Sequence, residues 1–261
     1  MTETMLDAAY EPLTITGFDQ LKAATSATIF AAYVPGWGTP YHATSVAEVQ
    51  EAASQGFSIL PIIVPSGADV IGNRLTEQDY RVGIQMALNF MHAAGLSATS
   101  PAVACDYEAG YWSQNRVNTC NSQIGFISAG RSMNVRAIPY WSPSNANDYA
   151  SRGLMSPEAI WVASWVMPAP TQLANIVGLD SHYFTSGERG WQYAGGTNIA
   201  GYNVDRSLTN FTGLFAAPQP APAPPVATIP APLSQAEIEL QSGNISSAIQ
   251  SIIDYLRGLM A

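Results

Sequence analysis

Lysine is nearly missing from this 261-residue chain: nine of its ten basic residues are arginine, and Lys22 stands alone. We read that deficit as a coding bias and not as chemistry. Charge of either sign is scarce, at 11% of residues, and it leans acidic, with 19 Asp and Glu giving a formal net charge of −9. That balance excludes nucleic acid as a partner, because phosphate binding needs clustered Lys and Arg. It offers nothing to an anionic membrane surface either. Two cysteines, Cys105 and Cys120, are too few for a disulfide framework and lack metal-ligand spacing. Both are expected as small core residues, with a bridge between them the minor alternative. Of three histidines, His42 and His92 look like surface residues and only His182 falls near a later strand end, so no zinc site is expected. No run approaches the roughly 18–20 apolar residues of a membrane helix. Residues 1–11 lack the basic and apolar regions of a secretory signal, so the expectation is a soluble product that leaves the cell by lysis or assembly. No cofactor is implied. There is no Gly-x-Gly-x-x-Gly after the first expected strand, no Walker loop and no nucleophile elbow.

What is present is core material, with 47% hydrophobic residues. Short apolar runs alternate with helical patterns over the first two hundred residues. Strands are expected at 13–19, 28–34, 57–64, 102–108, 135–141 and 160–166, with weaker ones at 181–184 and 191–194. Between them, 44–55 is amphipathic. Thr76 is a good N-cap for a helix carrying Tyr80, Ile84, Ala87, Leu88 and Met91 on one stripe, and Gly95 stops it. Residues 113–133 repeat the device with Val117, Cys120, Ile124 and Ile127. Strands alternating with helices imply parallel pairing through crossovers. Seven or eight of them in this length favour an α/β fold of the (β/α)8 TIM-barrel type, irregular in its later strands, over an open sheet.

The composition changes after Gly213. Residues 216–232 read AAPQPAPAPPVATIPAP, whose seven prolines rule out a helix interior or a central strand. Three regions follow: a barrel over 1–213, a Pro/Ala-rich linker over 214–232 and a helix over 233–261. That helix opens with the capping-box pair Ser234 and Glu237 and carries Ile238, Ile245, Ile249, Ile252, Leu256 and Leu259 as a heptad seam. It is expected to oligomerise or to dock on another protein, since an isolated helix of this length is marginal in water.

The stretch PAVACDYEAG at 101–110 is the most informative. Period-two alternation puts Val103, Cys105 and Tyr107 on one face of a strand and Ala104, Asp106 and Glu108 on the other. The acids stand at the strand's C-terminal end, where barrel enzymes place their chemistry. Asp19 is expected to end the first strand in the same way. Crowded carboxylates oppose simultaneous ionisation, so one keeps a proton near neutral pH. Glycosidic hydrolysis needs that pairing of an acid with a stabilising or attacking carboxylate. Metal binding by the same acids is the competing reading. Aromatic residues recur at or just beyond the expected strand ends, namely Tyr33, Tyr140, Trp141, Trp165, Trp191 and Tyr193, as platforms for sugar faces. Any one of them taken singly reads as core.

Four landmarks in order resemble the family 25 glycoside hydrolases, lysozymes of phages and bacteria, and their glycoside-hydrolase-like relatives. They are the GFD ending at Asp19, the helix GIQMALNFMHAAGL leading into Asp106-Tyr107-Glu108, the strand AIPYWS with Tyr140, and the closing GWQYAGG…YNVDRSL with Trp191-Gln192-Tyr193 and Val204-Asp205. The resemblance spans about 15–213. It implies Glu108 as general acid, Asp106 as the residue that stabilises or orients the sugar, Asp19 as their support and Tyr140 in the groove. The implied substrate is peptidoglycan, cut at the β-1,4 bond after N-acetylmuramic acid. The segment TSGERGWQY departs from the family pattern, leaving Asp180 and Glu188 as the only candidates for a further rim carboxylate.

Two functions of different class follow. One is a muramidase-like enzyme, associated with a phage or virion and acting on bacterial cell-wall glycan. The other is a non-catalytic structural or carbohydrate-binding virion component that keeps the barrel and anchors through its C-terminal helix. A metal-dependent deacetylase or phosphodiesterase is disfavoured by the want of histidine ligands.

Overall fold

Eight strands close into a barrel whose order around the ring is their order in the chain. They are β1 (Glu3–Asp7), β2 (Ile29–Tyr33), β3 (Ser58–Ile63), β4 (Ala102–Asp106), β5 (Arg136–Trp141), β6 (Ala159–Ala163), β7 (Glu188–Ile199) and β8 (Tyr202–Thr209). The helices are α1 (Ile15–Thr25), α2 (Val46–Ser54), α3 (Gly67–Ile71), α4 (Glu77–Ala93), α5 (Ala109–Gln114), α6 (Arg116–Ser132) and α7 (Pro143–Ser151). This computed structural model describes residues 2–8, 12–37, 43–107, 109–166, 169–173, 175–180, 182, 184, 187–217 and 249–250. The chain divides into two units, Met1–Pro218 and Gln219–Ala261. The capping box at Ser234 and nearly all of the expected linker and heptad helix lie outside the described residues.

The TIM-barrel-type expectation holds, with one irregularity of direction. Strands β1 to β7 run parallel, while β8 pairs antiparallel with both β7 and β1. A tight reversal at Ala200-Gly201, both with positive φ, makes β7 and β8 a hairpin, so no crossover helix separates them.

The opening of the chain differs from the expectation. Residues 13–19 are not the first strand; most of them form the start of α1. The Thr14 hydroxyl accepts from the Gly17 N–H as N-cap, and Gly17, Phe18 and Leu21 turn inward at helical spacing. The first strand is β1, five residues starting two from the terminus. Its pairing with β2 on one side and β8 on the other defines it more than its composition does. Further along, α4 begins as its cap requires, the Thr76 hydroxyl and the Asp79 carboxylate each accepting the other's backbone N–H. The expected helix at 113–133 is broken: Asn115 leaves the helical conformation and its side chain caps α6 by accepting from the Asn118 N–H. Val117, in the first turn, is exposed instead of joining the stripe.

Residues 214–217 belong with the barrel. Phe215 is buried and exchanges backbone hydrogen bonds with Ile59, as Ala216 does with Ser97. Both cysteines are free and buried.

Two apolar layers lie outside the strands, against the helices, and one lies inside the ring. The inner set includes Met5, Ile29, Leu60, Ile62, Ala102, Ala104, Ile138, Trp161 and Phe211. Trp161 and Phe211 fit there because residue 190 is glycine: a Cβ at that position would stand 2.7 Å from Phe211 and 2.9 Å from Trp161. Large side chains thus plug the lower interior, which leaves the C-terminal end of the ring to the polar residues.

Candidate active site

Period-two alternation delivers one polar side chain from nearly every strand into the upper interior. Asp7 ends β1, Tyr33 ends β2, Asp106 ends β4 and Tyr140 lies one residue before the end of β5. From the hairpin come Gln192 of β7 and Asp205 of β8, the latter the direct register partner of Asp7. Asp106 pairs in register with Tyr140.

Asp7 is the unusual group. It is 1% exposed, and neither of its oxygens meets a hydrogen-bond partner among the described residues. Burial, then the negative charge of Asp205, then that of Asp106, push its pKa well above the ordinary 3.8, against a slight opposing pull from the Gln192 amide. The Asp205 carboxyl is also raised by burial, less strongly, since the Gly196 N–H at 2.5 Å and the Gln192 Nε2 at 2.9 Å both donate to it. Tyr33 is pushed up by burial and by the same carboxylates, chiefly Asp7 and Asp106. All three groups are thus held above their ordinary values, with burial as the leading cause.

Gln192, 3% exposed, ties the two sides together. Its Nε2 donates to Asp205, while its Oε1 accepts from the Tyr140 hydroxyl at 2.7 Å and from the Trp165 indole N–H at 3.3 Å. Trp165 is 70% exposed, yet it is held by that bond and by close packing over Gly195, where a Cβ would stand 2.8 Å from the ring. A large apolar face fixed at the rim beside carboxyls is the arrangement a sugar ring needs. The floor is Trp161, edge-on to Tyr140 with ring centroids 4.9 Å apart and its N–H on the Ser207 hydroxyl at 3.1 Å.

The residues singled out from the sequence separate into three groups. Asp106, Tyr33, Tyr140 and Trp165 come together at the mouth. Asp19 does not join them: it is exposed on α1, and the first strand's terminal carboxylate is Asp7. Trp141, Trp191 and Tyr193 are also corrected, because all three point outward into the layer beneath the helices. Trp141 is fully buried against Tyr149, Trp191 donates to the Ser164 carbonyl at 2.7 Å, and Tyr193 lies under the Arg206 guanidinium. Each is adjacent in sequence to a residue that faces in, Tyr140 or Gln192. Glu188 begins β7 at the opposite end of the barrel, paired with Arg136 at 3.3 Å, so it is no rim carboxylate. Asp180 is exposed in the loop before β7. Glu108, the expected acid, lies outside the described residues, as does His42. Among the described residues no three His, Cys, Asp or Glu side chains stand together as a metal would require.

Asp7, Gln192 and Asp205 are the site residues that reading the sequence did not assign. Gln192 and Asp205 sat in recognised landmarks, and alternation along WQY offered Gln192 as the counterpart of its two aromatic neighbours. Asp7 had only a short, half-polar strand to mark it.

No protein-family model matches the sequence, and no curated protein matches it. Solved structures do match the fold. The Tat-secreted protein Rv2525c of Mycobacterium tuberculosis, in complex with L-tartrate, superposes with a TM-score of 0.52 at 16% identity, covering 81% of this chain and 98% of its own. The bacterial lysozyme of Streptomyces coelicolor gives 0.53 at 16%, over 80% and 93%. The catalytic domain of endolysin ply40, from bacteriophage P40 of Listeria monocytogenes, gives 0.51 at 19%, over 79% and 92%. The chain has the fold of the family 25 lysozymes.

Proposed function

We propose that this chain is a muramidase-type peptidoglycan hydrolase. The observation that carries the reading is the buried, raised Asp7 carboxyl facing Asp106 and Asp205 at the open end of the barrel. Glycoside hydrolysis generates positive charge on a sugar ring while a proton passes to the leaving oxygen. A mouth lined by carboxylates, dry below and rimmed by Trp165, suits both demands. Likeness of fold to lysozymes adds support.

In this reading Glu108 is the general acid. Its support is its place two residues beyond Asp106, on the same face by alternation, and the resemblance of the Asp-x-Glu landmark. Asp106 stabilises the developing cation or orients the reacting sugar. Asp7 and Asp205 stand side by side as register partners, each held above the ordinary carboxylate range chiefly by burial, which opposes ionisation of both. Tyr33 and Tyr140 line the groove, and Trp165 stacks on a sugar face. Carriage by a phage or virion, with the heptad seam at 233–261 as the docking or oligomerising element, completes the proposal. Its support is the sequence pattern of that segment. Among the described residues no helix is long and apolar enough to cross a membrane.

The test is release of reducing ends and loss of turbidity when the purified protein meets peptidoglycan. Glu108→Gln is expected to lower the rate by roughly 10²–10⁴-fold, the range for loss of a positioned general acid. A folded wild type that releases nothing from any wall, yet binds glycan through Trp165, would make the barrel a binding component instead.

A further inference from the structure

Beside the mouth, outside the ring, a pocket of about 650 Å³ opens between α5, α6 and α7. It is lined by Trp112, Ser113, Arg116, Ser142, Ser144, Asn145 and Asp148. Its place follows from the chain. Trp112 and Ser113 lie on α5, which starts three residues after Asp106, and Ser142 stands two residues beyond Tyr140, hence at most about 7.6 Å away between Cα atoms.

The hydrogen-bonding groups of this pocket are unevenly spent. The Ser113 hydroxyl donates to the Gly110 carbonyl, and the Ser142 hydroxyl accepts from the Asn145 N–H and pairs with Ser144. Asp148 is taken by two guanidinium groups, Arg152 at 3.0 Å and Arg116 at 3.5 Å. That trio carries a net positive charge in a chain whose total is −9. Arg152 meets both carboxylate oxygens, so Arg116 is the less committed partner, with Nε alone in the ion pair. Asn145 is 6% exposed and lines the pocket. Trp112, 7% exposed, forms an aromatic wall.

We infer that this pocket binds a peptide carrying a carboxylate, the stem peptide attached to the glycan that the barrel mouth holds. The inference rests on the glycan-hydrolase reading above. A guanidinium fork matches a carboxylate in bidentate geometry. An asparagine amide both donates and accepts, which answers a peptide group and not a phosphate, whose oxygens only accept. An extended peptide of three or four residues spans roughly 10–14 Å, enough to leave a sugar at the mouth and reach this wall.

The test uses the full chain and titration calorimetry with three ligands. They are N-acetylglucosaminyl-N-acetylmuramic acid with its lactyl group capped as the amide, the same disaccharide bearing the stem peptide, and the free peptide. None contains the bond after muramic acid in cleavable form. Wild type should bind the peptide-bearing disaccharide roughly tenfold tighter than the capped one, the scale of a hydrogen-bonded charged contact. Arg116→Ala and Asn145→Ala should each shrink that ratio towards one, and Arg116→Lys should restore part of it. Equal affinity for the two disaccharides in wild type, or a ratio untouched by Arg116→Ala, overturns the pocket while leaving the hydrolase reading standing. Binding of none of the three ligands overturns both.

Discussion

Asp7 sets the ionic balance of the mouth, and its burial has a sign that can be worked out. A carboxyl whose pKa is higher in the fold than in the unfolded chain favours folding fully below the ordinary value of 3.8. That contribution is lost as pH rises through the raised value, because the fold then has to hold an unwelcome anion. Asp7→Asn removes the anion at nearly constant shape. It is expected to raise Tm at pH 7, with the gain vanishing as pH falls towards 3.8, while catalysis on peptidoglycan drops. Paired melting curves at the two pH values check this, and an equal effect at both would remove Asp7's charge from the explanation. Gln192 makes the opposite prediction. Leucine there would leave Asp205, Tyr140 and Trp165 each a hydrogen bond short. A loss of about 1–3 kcal/mol is expected in denaturant melts.

At the scale of elements, the β7–β8 hairpin supplies as many of the site's side chains as either the β1–β2 or the β4–β5 crossover unit. It brings Gln192 and Asp205 to the mouth and provides, in Gly195, the bare backbone on which the Trp165 ring rests. Gly195→Ala should displace the indole and leave the strand intact. A KM for glycan raised roughly 2–10-fold with little change in kcat is the expected result, the scale of one aromatic contact. An unchanged KM would take Trp165 out of the binding face. Elsewhere the caps carry local stability. Thr76→Ala opens the reciprocal pair with Asp79 at the head of α4 and should cost about 1 kcal/mol, read from the denaturation midpoint.

For the whole molecule, closure of the ring depends on its first and last strands meeting. β1 lies between β2 and β8, and the segment through Phe215 returns to Ile59 on β3. Deleting residues 1–7 would leave β2 and β8 as open edges and expose Met5's place in the interior; a soluble, cooperatively melting product is not expected. Ending the chain after residue 217 should leave Tm within a few degrees of the full protein, since the second unit begins at Gln219. A large fall in Tm would give the second unit a share in the barrel's stability.

Much of this protein was determined along the chain. Five internal strands, the cap at Thr76 and the alternation that turns Asp106 inward and Cys105 outward follow from apolar spacing and turn chemistry, which are local. Alternation divides a strand into two faces but does not say which is the inside. In a barrel both faces are buried, one against the ring's interior and one against helices. Tyr140 and Trp141 are therefore equally good candidates until the ring closes, as are Gln192 and its two aromatic neighbours. The first carboxylate was hidden for a related reason. β1 is too short and polar to announce itself, and it becomes a strand only between two partners, one of them about two hundred residues away. Asp19, in a stretch with strand-like composition, belongs to a helix because Thr14 caps it and Phe18 and Leu21 find a core. Local pattern determined which residues are present near each strand end; tertiary closure decided which of them face one another.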